Sequence, residues 1–236
     1  MEKRKTNVLL VTIALFVATF MTAIEGTIVS TAMPTIISNL HGMRLMNWVF
    51  SIYLLTNAMM TPIYGKMADR IGRKPIFIFG LVLFVIGSSL CGLSNHMETL
   101  IISRAIQGLG AGAIMPVSFT IIADIYPIEK RAKVLGFNGS AWGIASIIAP
   151  LLGGFIVDKL TWHWIFFINV PIGLITIGLI WYFLQEEKRT SDQPIDYWGS
   201  FWLMMALLGL LYGFQLMGET HLSWGLLVTA LVIAVF

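Results

Sequence analysis

The strongest constraint on this chain is its succession of apolar segments, each near the length that crosses a bilayer. They lie at roughly 8–33, 46–65, 75–94, 99–123, 134–157, 164–184, 197–217 and 222–236. A hydrocarbon core about 30 Å thick needs about 20 apolar residues in a helix. The 236 residues are 57% hydrophobic and only 11% charged, whereas soluble domains carry about 25% charged residues. An all-α integral membrane protein follows. The first segment has a basic flank, Lys3-Arg4-Lys5, but is too long for a signal-peptide core and has no A-x-A-like site after it. It is therefore a retained first helix.

Charge sets the orientation. Twelve of the fifteen basic residues fall at the N-terminus or in the second-to-third, fourth-to-fifth and sixth-to-seventh connections, so all lie on one side. The positive-inside rule makes that side cytoplasmic, the N-terminus included. The net charge of +3 comes from these loops and gives no nucleic-acid surface. Trp48, Trp162, Trp164 and Trp224 near the outer boundary, and Trp181 and Trp198 near the inner one, form aromatic belts. Trp142 falls mid-span and is read as a packing residue. His41, His96, His163 and His221 all fall in outer loops without ligand spacing. Cys91 is the lone cysteine and reads as a small buried side chain. No Ser/His/Asp set or metal cluster converges at one depth, which argues against an enzyme.

Two charges sit well inside spans, Glu25 and Arg104. A charge at bilayer depth costs roughly 2.5–3.5 kcal/mol on insertion scales and marks a functional position. At 1.5 Å of rise per residue, Glu25 lies about 5 Å and Arg104 about 6 Å below the outer boundary. Matching depth predicts an ion pair, since buried charges need partners. The pair reads either as a structural ion pair or as a proton-coupling site.

The segments "GKMADR" (65–70) and "GFIVDK" (154–159) share Gly-x-x-x-Asp-basic, with Pro62 and Pro150 upstream, and lie 89 residues apart. Three spans separate them, so Asp69 is inside and Asp158 outside. An inverted three-plus-three repeat predicts this, a transporter architecture. In "GKMADRIGRKP" (65–75), Gly65 and Gly72 permit close approach and a tight turn, and Pro75 suits a first helical turn. Asp69 can neutralise an arginine or cap a helix. Asp124, at the inner end of the fourth span, is expected to pair with Arg73 or Arg70 and latch an inner gate. Gly139, Gly143, Pro150 and Gly154 recur at roughly helical spacing and predict a small-residue face for another helix. "GLGAGA" (108–113) fits a dinucleotide fingerprint, but no strand precedes it. Gly108 and Gly112 are helix contacts instead.

The stretch 65–75 resembles the major facilitator superfamily signature Gly-x-Leu-Ala-Asp-Arg-x-Gly-Arg-Lys, with Met67 in place of Leu. "AIEGTIVSTAMP" (23–34), "LIISRAIQGLGAGAIMP" (100–116), "GSAWGIASIIAPLLGG" (139–154), "WHWIFFINVPIG" (162–173) and "DYWG" (196–199) are similar to motifs of its fourteen-helix drug:proton antiporters, the EmrB/QacA type. Glu25 stands for the family's Asp, Ser30 for Asn, Ala149 for the glycine before Pro150, and His163 for Arg.

The resemblance implies a six-helix N-terminal bundle over 1–185, a cytoplasmic linker over 186–196, and linker helices seven and (incomplete) eight over 197–236, the C-terminal bundle being absent. It implies efflux of lipophilic, cationic drug-like compounds across the cytoplasmic membrane of a bacterium. A proton gradient is the energy source, with no cofactor. Glu25 and Arg104 would couple protons; Gly65, Asp69, Arg70, Gly72, Arg73, Lys74 and Asp124 would form the cytoplasmic gate; Gly139, Gly143, Pro150, Gly153 and Gly154 would form the antiporter motif. Partners would be the drug, the lipid bilayer and the missing C-terminal half. Two alternatives stand beside it: a non-transporting half-transporter, and a proton-coupled solute symporter.

Overall fold

The computed structural model describes residues 6–186 and scattered helical positions between Trp198 and Gly213. The spans expected at 197–217 and 222–236 and the linker over 186–196 lie almost wholly outside the described residues. Over the described part the chain is helical: α1 (Val8–Leu40), a short 3-10 turn (Met43–Leu45), α2 (Met46–Ile71), α3 (Arg73–Gly92), α4 (Met97–Ile125), α5 (Ile128–Lys159), α6 (Trp164–Phe167) and α7 (Asn169–Phe183). Five of these helical spans, with α6 and α7 taken together, are long and apolar enough to cross a membrane. The second span, α2, is more polar, carrying Asn47, Ser51, Thr56, Asn57 and Thr61 before its charged end.

Several helices outrun their apolar cores. α1 continues through Pro34 to Leu40, where His41 closes it in a left-handed conformation. Proline removes one N–H bond and crowds the carbonyl four residues before it, and α1 carries Pro34 at an exposed position. The helix thus runs seven residues past the apolar stretch expected to end near residue 33. Glu25 stands near the middle of α1, about 22 Å from its outer end. The sixth span is also not continuous. Pro171 has no N–H to offer the Phe167 carbonyl, and the hydrogen-bond ladder is interrupted at Ile168, between α6 and α7, although Ile168 keeps helical angles (φ −60°, ψ −28°).

Alternating directions bring the ends together. At one end the Asn7 amide donates to the Phe183 carbonyl (3.2 Å) and the Thr6 hydroxyl to that of Gln185 (3.1 Å). The α2–α3 and α4–α5 connections lie at this same end, joined by Arg73 and Asp124. Asp69 thus lies at this end and Asp158, at the far end of α5, at the other. α4 packs along both α3 and α2, and α1 along α5. Exchanging the first three spans for the second three turns the α1–α5 contact into the α4–α2 contact, the relation an inverted repeat requires.

The interior is small-residue packing on α4 and aliphatic packing elsewhere. A side chain on Gly110 would collide with the Gly80 carbonyl and the Phe84 backbone of α3. One on Gly108 would meet Thr56 and the Tyr53 backbone of α2, and one on Gly112 the Asn57 carbonyl. Phe77, Phe84, Leu81, Ile114 and Val117 fill the inner half of the core; Ile28, Val29, Ile36, Leu100 and Phe166 fill the outer half. Trp142 is half-exposed on α5 rather than packed.

Candidate functional site

Between the two halves of that core lies a polar cluster in which every span except α5 takes part. Glu25 on α1 and Arg104 on α4 have no solvent exposure. Arg104 Nη1 donates to Glu25 Oε1 at 2.6 Å and to Gln107 Oε1 at 2.7 Å. Its Nε donates to the Val49 carbonyl of α2 at 3.3 Å, and its guanidinium lies 4.1 Å from the Tyr53 ring centroid. Asn169, the first residue of α7, donates through Nδ2 to Glu25 Oε2 at 2.8 Å and to Ser88 Oγ at 3.0 Å. Ser88, on α3, donates to the Phe166 carbonyl of α6 at 2.8 Å. The Cys91 thiol donates to Gln107 Oε1 at 3.6 Å.

Local sequence explains this convergence. Gly108, one turn after Arg104, admits the Tyr53 backbone, so α2 comes close enough for Tyr53 and the Val49 carbonyl to reach the guanidinium. Gly87 admits the backbone of Gln107, which sets Ser88 and Cys91 of α3 beside α4. Gln107 follows Arg104 by three residues and so shares its helix face. The break at Ile168 places Asn169 where its amide spans α1 and α3. Burying two charges is costly, and a buried pair is tolerated when geometry is good and further hydrogen bonds satisfy the remaining sites. Both carboxylate oxygens and three faces of the guanidinium are engaged here.

The structure thus brings Glu25 and Arg104 together, as their depths suggest. The neighbours Gln107, Ser88, Asn169 and Tyr53 are not singled out by reading for charges. The available signals are the Arg-x-x-Gln spacing on one helix face and a lone amide two residues before a proline in an apolar run.

A second cluster lies at the end that carries the N-terminus and the basic connections, the expected inner end. Arg73 pairs with Asp124 of α4, and Arg73 Nη2 lies 3.6 Å from Asp69. Of the two arginines proposed for Asp124, it is Arg73 that takes it. Gly72, at φ +121°, makes the turn between α2 and α3, a backbone region L side chains avoid. Glu186, beyond α7, accepts from the backbone amides of Arg73 (2.5 Å) and Lys74 (3.1 Å). Lys74 Nζ in turn donates to the Trp181 (2.7 Å) and Leu184 (2.6 Å) carbonyls. An acid at a helix N-terminus and a cation at a C-terminus each complement the helix dipole, so α3 and α7 cap one another. Gly65 has open space where a side chain would stand.

The small-residue face of α5 differs from expectation. Gly139, Gly143 and Gly154 have nothing within 4 Å of a side-chain position, and only Gly153 packs, against Ile28 and Thr31 of α1. α5 turns Ala141, Ala145 and Ala149 inward and leaves Gly139, Gly143 and Pro150 on an exposed side. Among the described residues that face has no partner helix.

Comparison with known proteins decides the family. The Major Facilitator Superfamily profile matches residues 15–236. The chain belongs to the Major Facilitator Superfamily. Among curated superfamily proteins, it is 42% identical over 211 residues to Multidrug resistance protein 3 of Bacillus subtilis, covering 89% of this chain and 41% of that protein. It is 41% identical over 204 residues to Multidrug export protein EmrB of Haemophilus influenzae, covering 86% and 39%. The chain therefore spans about two-fifths of the length of these relatives. Among solved structures, the inward-open xylose transporter XylE from E. coli superposes with a TM-score of 0.66 at 18% identity, over 94% of this chain and 54% of that one. At that identity the likeness is one of fold: a multi-pass superfamily bundle.

Proposed function

We propose that this chain is the part of a proton-coupled drug exporter that carries the proton site, with Glu25 as the group that takes and releases the proton. The observation that carries the reading is the Glu25–Arg104 pair, fully buried and held from α1, α2, α3, α4 and α7. The guanidinium and amide donors around this carboxylate favour its ionised form, and burial favours its neutral form. Displacing those donors, or admitting water to one side, changes the balance between desolvation and pairing. Alternating access supplies that change: Glu25 loads from outside, releases inside, and drug leaves in exchange.

The names of the similar proteins, a multidrug resistance protein and a multidrug export protein, support drug-like substrates; lipophilic compounds, cations included, are the proposed class. The basic inner connections support a cytoplasmic N-terminus in a cell membrane. The inner cluster of Asp69, Arg73 and Asp124 acts as the latch of the inner gate. The bare glycine face of α5 supports a bundle over residues 1–185 that works against a second bundle, joined through 186–196 and the helices of 197–236. Glu25→Gln in the full-length exporter tests the assignment in everted vesicles. Substrate accumulation driven by a pH gradient should fall to background. Undiminished uphill transport by that variant would remove Glu25 from the coupling role.

A further inference from the structure

Asn169 stands between the carboxylate and the broken sixth span, and its chemistry is that of a switch. In the observed arrangement both hydrogens of Nδ2 are used, one on Glu25 Oε2 and one on Ser88 Oγ, while the Ser88 hydroxyl hydrogen goes to the Phe166 carbonyl. An ionised carboxylate only accepts hydrogen bonds, so it must face the amide nitrogen. The orientation of the Asn169 amide is therefore fixed by the charge on Glu25 and by the direction of the Ser88 bond.

Protonation changes the donor count. Oε1 faces Arg104, which can only donate, so the added hydrogen sits on Oε2, toward Asn169. Nδ2 and the new O–H then point at each other. Turning the Asn169 amide over about its broad, roughly two-fold terminal torsion removes the conflict. Oδ1 then accepts from both the Glu25 O–H and the Ser88 O–H, and the Phe166 carbonyl loses its Ser88 donor while keeping the Ile168 amide. Only one bond changes covalently: the O–H formed on Glu25. Asn169 and Ser88 keep all their hydrogens.

We propose that Asn169 is a positioning residue that reads the protonation state of Glu25 by inverting its side-chain amide, and passes that state through Ser88 to the α6–α7 break. The proposal rests on Glu25 gaining and losing a proton, as proposed above. Among the described residues, the charged and titratable groups around Glu25 are Arg104 from α4, Tyr53 from α2 and Cys91 from α3. None of these lies on α6 or α7, so Asn169 is the side chain that connects the carboxylate to the sixth span. Phe166 lies in the first turn of the sixth span, one residue before the Phe167 carbonyl that Pro171 leaves without its helical donor. The Ser88 hydroxyl is a side-chain donor to the backbone at this weakened point.

Hydrogen–deuterium exchange of the peptide spanning 164–170, with the chain in lipid nanodiscs, tests the relay without any transport measurement. Glu25→Gln mimics the neutral acid, since its amide can donate to Asn169 Oδ1. It should speed exchange in this peptide by about three- to tenfold, the factor that one ordinary hydrogen bond gives. In the Asn169→Leu and Ser88→Ala backgrounds, Glu25→Gln should add nothing. Ser88→Ala removes a single hydroxyl and keeps the Glu25–Asn169 contact, so it serves if Asn169→Leu does not fold. An equal response to Glu25→Gln with and without Ser88, or no response in the parent, overturns the relay. Loss of proton-driven export in Glu25→Gln together with an unchanged peptide would overturn the relay alone. A responsive peptide with intact proton-driven export would overturn the antiport reading and leave the relay standing.

Discussion

Two arginine–carboxylate pairs hold α4 to the rest of the bundle, and they differ in almost everything but their chemistry. Glu25–Arg104 has no solvent exposure and is enclosed by amide, hydroxyl and carbonyl partners. Arg73–Asp124 lies at the inner end, with side chains 22% and 35% exposed, and shares its arginine with Asp69. The first pair is expensive to separate because neither charge has water to fall back on. The second can trade its partner for solvent at little cost. One bundle thus holds a pair suited to storing a charge state and a pair suited to opening and closing.

The contrast can be broken most directly at Arg104. Arg104→Leu leaves Glu25 buried without its counter-ion and should destabilise the bundle by roughly 3–5 kcal/mol, read as a lowered unfolding midpoint in detergent. A drop no larger than that of an inner-end variant would erase the distinction. Removing both charges, as Glu25→Leu with Arg104→Leu, should recover most of that loss, since a buried pair replaced by apolar groups of similar volume is often neutral. If the double variant is as unstable as the single, the cost lies in the amide network rather than in the charges.

At the inner end the expected effects are smaller. Arg73→Ala should cost about 1 kcal/mol at low ionic strength and less at 1 M salt, where the Debye length is about 3 Å. Exchanging the charges, Arg73→Asp with Asp124→Arg, should restore what each single change removes in the same unfolding assay. Failure to rescue would show that Arg73 works through something other than Asp124. The smallest effect belongs to Asp69→Asn, below about 0.5 kcal/mol. Its side chain is 57% exposed and lies 3.6 Å from the arginine. A larger loss would make Asp69, rather than Asp124, the partner that matters.

The legible parts of the molecule were those in which a residue is costly where it stands. Apolar runs can only be spans, and two intramembrane charges of opposite sign can only be neighbours or liabilities. Glu25 and Arg104 therefore find each other, although α1 runs on past Pro34 to Leu40. Asn169 stayed hidden because an uncharged amide in an apolar run carries no comparable penalty, and its importance appears only when Pro171 breaks the span. Glycine patterns were legible as smooth faces but not as contacts. Gly108, Gly110 and Gly112 on α4 are closed over by α2 and α3, whereas Gly139, Gly143 and Gly154 on α5 stand open. A row of missing side chains specifies how closely something can approach, not what approaches.

The mutual capping of α3 and α7 has a mechanical consequence. Glu186 grips the first turn of α3 while Lys74 grips the last carbonyls of α7. The polypeptide therefore leaves the sixth span fastened to the α2–α3 turn, at the backbone of Arg73 itself. Tension on the chain beyond Glu186 is delivered first to that turn, before it reaches the core. A spin label or fluorophore placed just after Glu186 would report on the inner mouth, although the two are more than a hundred residues apart in sequence.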